Sequence, residues 1–148
     1  MKITDALITE HTIYLGVFDQ IERVLPSLTS PAEIRTMGMI IEGMLRGHAD
    51  KEANLAYLAL DHVLAEKGPL DRMHHDHHEI DSRLRKLQTT NSCAEARRLL
   101  QTSLAACREH FQLEERVLFP LLERSLKEET LTDLGSTWLE RGTAVAAG

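Results

Sequence analysis

Residues 92–114, SCAEARRLLQTSLAACREHFQLE, decide the fold. Ser92 and Glu95 have the S-x-x-E spacing of a box that opens a helix. From there Ala96, Leu100, Ser103, Cys107, His110, Glu114, Val117 and Leu121 recur every three or four residues, the spacing of one helical face. That face begins apolar and reaches His110-x-x-x-Glu114, two donors one turn apart and able to grip one ion centre. Upstream the pattern returns three times. Leu7, His11, Tyr14, Phe18, Ile21 and Leu25 form one seam, and Ile34, Gly38, Ile41, Leu45, His48, Glu52 and Leu55 a second. Met73, His77, Ile80, Leu84 and Leu87 form a third.

Turn signals separate these seams. Pro26 to Pro31 ends the first, and Ser30-Pro31-Ala32-Glu33 opens the second with a capping box and Pro at the first helical position. Gly68-Pro69 is expected to close the second helix and Asp71 to cap the third, which Asn91 breaks. Pro120 is expected to kink the fourth. Short connections make neighbours antiparallel, so the sequence predicts an all-α, up-down-up-down four-helix bundle. It is expected to be a single domain over 1–148 with its core at about 5–125. A short fifth helix is expected near Thr130–Asp133, and a fraying tail from Gly142 to Gly148.

The composition agrees. Of 148 residues, 43% are hydrophobic but only 4% aromatic, which makes the core aliphatic and suited to helices. A net charge of −6 argues against nucleic acid as a partner. No apolar run approaches the ~20 residues of a membrane span. Asp5 and Glu10 near the start are unlike a signal peptide. Cys93 and Cys107 form neither a CxxC nor a disulfide framework, so a reducing, cytoplasmic setting is expected.

The inward seams carry four histidines and two glutamates: His11, His48, Glu52, His77, His110 and Glu114. Helical rise puts the donors of the first two helices within ~3 Å of the same height, and those of the last two within ~5 Å. A single histidine on an apolar face is ordinarily a core residue. A layer containing two glutamates is different, because each buried carboxylate costs several kcal/mol without a partner. No seam Lys or Arg is available, so metal cations are the expected compensation. Imidazole with carboxylate suits iron, manganese or zinc. Six such residues exceed a four-ligand zinc site and fit two ions bridged by the carboxylates. Eight of about twelve octahedral positions are then filled, and an oxo or hydroxo bridge would take two more.

The order H…HxxxE…H…HxxxE on four helices resembles the hemerythrin-like, or HHE cation-binding, domain over roughly residues 5–125. His110 to Pro120 is similar to the family's HxxxEE-xx-LFP stretch, and His48-Ala49-Asp50-Lys51-Glu52 to its HxxKE. There the likeness weakens: Ala53 stands for the second acid and Ala56-Tyr57 for Phe-Pro, changes expected to touch no ligand. Glu10-His11 and Asp76-His77 match its acid-His entries. The resemblance implies a non-haem, oxygen-bridged di-iron centre that meets dioxygen, nitric oxide or peroxide, or that senses iron or oxygen. The oxygen-carrier branch has a second helix 3 ligand in H-x3-H spacing, but Met73 stands four residues before His77. His74 and His78 are therefore candidate additional ligands, while His75 and His62 are expected at the surface. Tyr14 is core or a hydrogen-bonding neighbour of the metals, Cys107 a small buried hydrophobe, and Gly43 with Gly47 a site of close helix contact.

A reactive site for a small diatomic or peroxide ligand is the first functional expectation. A non-enzymatic sensor or iron-handling module is the second, and a zinc- or manganese-loaded structural bundle the third. No nucleophile–base pair or phosphate loop supports hydrolase or transferase chemistry.

Overall fold

The computed structural model describes the backbone of residues 1–147 and the side chains of 1–142; among the described residues every regular element is helical and none is a strand. Four long helices make the bundle: α1 (Ile3–Val24), α2 (Pro31–Glu52), α4 (Gly68–Thr89) and α5 (Cys93–Leu113). The α2 helix continues through a π turn, Ala53–Tyr57, into α3 (Leu58–Val63), and α5 through a π turn, Glu114–Leu118, into α6 (Phe119–Ser125). The last helix, α7 (Glu128–Ala147), packs against α1. Both serine caps form: Ser30 Oγ accepts from the Glu33 N–H at 3.2 Å, and Ser92 Oγ from the Glu95 N–H at 3.3 Å.

The seams of the first three helices turn inward as their spacing predicts, with Leu45 and His77 only partly buried. The donor layer divides the apolar interior. On the side of the inter-helix turns, Phe18, Leu25, Ile34, Leu84, Leu100 and Phe111 belong to one cluster. Toward the chain ends, Ile3, Leu7, Leu60, Met73, Leu122 and Trp138 belong to another.

Several expectations are corrected. Gly68-Pro69 does not close the second helix. That helix ends at Val63, Leu64 is extended, and Gly68 opens α4 with Pro69 in its first turn. The fixed φ of proline is preorganised for a helix start, and no glycine among the described residues has positive φ. Asp71 is not the cap: Lys67 holds that position, and its carbonyl accepts the Asp71 N–H at 2.9 Å. The fifth helix is long rather than short, at 20 residues, and it buries Leu131 and Trp138. The expectation that the tail frays falls on residues 143–148, whose side chains, with all of Gly148, lie outside the described residues; the backbone is helical through Ala147. Pro120 does interrupt its helix, but the break is the π turn ahead of it. That turn shifts the seam, leaving Val117 exposed and burying Leu118 and Leu122 instead.

Gly43 and Gly47 make no close contact; both are exposed, and a Cβ at either would meet nothing within 4 Å. Close approaches occur instead at Gly135, against the backbone of Met1 to Ile3, and at Gly38, where a Cβ would overlap the buried Leu87 side chain across the α2–α4 contact. Opposite signs follow for two like substitutions. Gly38→Ala should destabilise by about 1–3 kcal/mol through overpacking. Gly43→Ala, mid-helix and unobstructed, should stabilise by about 0.5–1 kcal/mol. Urea unfolding of the two variants beside the parent checks both.

Candidate metal centre

Each long helix of the bundle delivers its donors to one level. His11, His48, Glu52, His110 and Glu114 are all within 3% of fully buried, whereas the His77 side chain is 19% exposed. The six residues form two groups sharing both glutamates: His11, His48, Glu52 and Glu114, then His77, His110, Glu52 and Glu114. Within each group one ligand atom per residue lies within 4.8 Å of all the others.

The carboxylates divide their oxygens between the groups. Glu52 Oε1 lies 3.0 Å from His48 Nε2, and its Oε2 3.3 Å from His77 Nε2. Glu114 Oε2 lies 3.2 Å from His11 Nε2, and its Oε1 3.2 Å from His110 Nε2. The imidazoles meet in pairs as well, His11 with His48 at 3.2 Å and His77 with His110 at 2.8 Å between Nε2 atoms.

Acids on neighbouring helices hold the outer ring nitrogens. His11 Nδ1 bonds Glu115 at 3.0 Å and His110 Nδ1 bonds Asp76 at 3.4 Å. His48 Nδ1 lies 3.4 Å from Glu10 without hydrogen-bond alignment. The acid preceding the first histidine of each half thus serves the second histidine of that half. A proton kept at Nδ1 leaves a bare Nε2 lone pair facing the centre, the arrangement that metal-ligating histidines adopt. Two facing lone pairs repel unless a cation lies between them. Glu52 Oε1 and Glu114 Oε2, both buried, accept no hydrogen bond. A donor set of imidazoles and carboxylates with such orphaned oxygens fits a pair of divalent or trivalent ions.

The electrostatics without metal make the same point. Burial alone would lower His11 and His48, but the facing glutamates prevail and raise them to about 9 and about 10. His110 is raised by Glu114 against the same burial. Burial would raise Glu52 and Glu114, yet the surrounding imidazoles hold both below the usual carboxylate range. Glu10 falls to about 2 against its own burial, through His48, Tyr14 and Lys51. In the metal-free protein, protons on these imidazoles therefore balance the buried carboxylates.

The remaining candidates separate cleanly. His74, His75, His78 and His62 are exposed, and His74 and His78 fall outside both groups. The Tyr14 hydroxyl donates to Glu10 at 2.6 Å, so this residue acts one step outside the donors. Burial pushes the Cys107 thiol up to about 12, which suits a packing residue. The residue that seam spacing missed is Tyr57. Counted from the glutamates it stands opposite Phe119, each five residues on, and not opposite Pro120 as the pairing of Ala56-Tyr57 with Phe-Pro set it, and the change there does reach the site. In a regular helix that offset leaves the seam. The π turn, closed by the Leu58 N–H on the Ala53 carbonyl, swings it back to face Glu52, His77 and Glu114.

Antiparallel helices that aim paired imidazoles and two shared carboxylates at a common level define a cation-binding bundle. The chain belongs to the hemerythrin family: the model for the hemerythrin HHE cation binding domain matches residues 2–132. No curated protein and no solved structure matches it.

Two outcomes follow. His77→Ala should lower bound metal strongly, whereas His74→Ala and His78→Ala should leave it near wild type, as read by elemental analysis after anaerobic loading. The second concerns pH. The folded values of His11 and His48 stand above the ordinary 6.5, so their stabilisation is complete below that pH and is lost as pH rises through 9 to 10. The melting temperature of the metal-free protein should fall between pH 7 and pH 10, and metal-loaded protein should change far less. Thermal melts with and without chelator check this.

Proposed function

We propose that this chain is a hemerythrin-like metal protein whose centre is a non-haem di-iron site that binds or reacts with dioxygen, peroxide or nitric oxide. The observation that carries the proposal is the split of each glutamate, with one oxygen toward each imidazole pair. Such carboxylates suit two ions side by side rather than one. Four imidazoles and two bridging carboxylates leave about four of twelve octahedral positions for a bridging oxygen and a small ligand. A cavity of about 400 Å³ reaches the layer past His48, Ala49, Ala53, His77, His110 and Phe111. It is ample for a diatomic molecule.

Iron held there by the four histidines and two glutamates would supply electron-transfer chemistry toward the small ligand. The chain's own residues set the surroundings. Phe111 stacks on His11 with ring centres 3.9 Å apart and excludes water from that face. Glu115 and Asp76 retain the Nδ1 protons of His11 and His110, which keeps those imidazoles neutral and oriented. Zinc or manganese satisfies the same donors chemically, and a bundle loaded with either would be structural.

A sensor or iron-handling role has one observation in its favour. Trp138 of α7 stands edge-on to His48, ring centres 5.9 Å apart, with the Lys51 ammonium 4.2 Å from the tryptophan ring. A change at His48 thus has a direct route to α7.

Anaerobically prepared protein from iron-replete cells should hold about two irons per chain, and azide or nitric oxide should alter its charge-transfer spectrum. One tightly held zinc per chain, with no iron recovered, would sink the di-iron proposal. Iron-loaded protein that ignores both ligands would leave the sensor reading in its place.

A further inference from the structure

Tyr57 is 1% exposed, and its hydroxyl lies among the donor atoms rather than behind them. Its oxygen is 3.3 Å from His77 Nε2 and 3.3 Å from Glu52 Oε2, and it donates a hydrogen bond to Glu114 Oε1. Those three atoms are the ones that face the His77–His110 group. With bonds of about 2.1 Å, adjacent donors on one octahedral ion stand about 3 Å apart. The Tyr57 oxygen stands near that spacing from His77 Nε2 and Glu52 Oε2, and closer to Glu114 Oε1, its hydrogen-bond acceptor.

The other half supplies a built-in comparison. Phe119 stacks on His11 with ring centres 5.5 Å apart at 28°, and Tyr57 on His77 at 5.6 Å and 26°. The two rings hold matching poses and differ by one hydroxyl, directed at the donors. One turn before His77 stands the buried Met73, so α4 brings a single imidazole to this half.

We propose that Tyr57 is a metal ligand whose phenolate oxygen gives the His77–His110 half five protein donors, against four on the His11–His48 half. Ligation forms one metal–oxygen bond and breaks the Tyr57 O–H bond, and the proton leaves to solvent. The half with four donors then keeps the freer position, while the cavity reaches both halves, past His48 of one and His77 and His110 of the other.

The proposal rests on the metal-centre reading, and its test keeps the two apart. Metal-free protein is loaded with Fe(II) under anaerobic conditions and then exposed to air. Metal content, visible absorption and resonance Raman spectra are recorded on the same samples. Wild type and Tyr14→Phe should show a phenolate-to-iron band with tyrosinate ring modes. Tyr57→Phe should lose that band completely while keeping at least half of the wild-type metal, because its histidines and glutamates are intact. Zn(II) added to metal-free protein should give the ultraviolet difference spectrum of one ionised phenol in wild type and none in Tyr57→Phe. Metal-loaded wild type without tyrosinate modes, or a band that survives in Tyr57→Phe, overturns the proposal. The wild-type Raman measurement stands even if the variant does not fold. Protein that takes up neither metal overturns the centre and this proposal together, whereas metal uptake without a tyrosinate signature overturns this proposal alone.

Discussion

Glu52 and Glu114 have no exposed surface, and they face each other's charge across a layer without lysine or arginine. An uncompensated buried carboxylate costs several kcal/mol, a large share of the ~5–15 kcal/mol that holds a domain of this size together. The surroundings of the pair follow from that constraint. Imidazoles from four helices converge on the two side chains, and three of those rings face a second carboxylate: Glu10, Asp76 or Glu115. The bundle geometry is thus fixed at mid-height by charge as much as by packing. Stacked aromatics, Phe111 and Phe119 on His11 and Tyr57 on His77, cover the ring faces of the layer, which stays open to the cavity beside His77.

The two halves of the layer are alike without being equal. Glu115 holds the outer nitrogen of His11, while Ala53 occupies the matching place beside Glu52. Phe111 covers His11, while Ala49 occupies its matching place and lines the cavity with His77. Two alanines in place of a carboxylate and an aromatic ring account for the partial exposure of His77. They are also why the cavity opens on that side of the bundle.

Much of this was legible in the sequence, because a period of three to four residues is a direct projection of the helix onto the chain. His11, His48, Glu52, His77, His110 and Glu114 could be gathered from their seams and from the rise per residue alone. Two kinds of feature escaped. One was phase. A π turn changes the angular step, so Val117 left the seam, Leu118 joined it, and Tyr57 came to face the donors from an offset that normally points away. Pro120 hinted at one interruption, whereas the turn after Glu52 has no proline to announce it. The other was polarity of punctuation. Gly-Pro is compatible with a helix end and with a helix start, and only the extended Leu64 before it decides between them. The length of α7 was hidden for a related reason, since Leu131 and Trp138 anchor it from outside the four-helix seams.

The donor layer also separates two apolar lobes, one by the inter-helix turns and one by the chain ends. Nonpolar contact alone therefore does not weld this protein into a single cooperative body. The join between the lobes is polar, made of helix backbone and the ring of imidazoles and carboxylates. Such a join transmits melting from one lobe to the other only while it remains intact. Once it loosens, the lobe built from α3, α6, α7 and the first turns of α1 and α4 can open on its own, a sub-global event that leaves the turn-side lobe folded. The chemistry at mid-height thereby sets whether the molecule unfolds in one step or two.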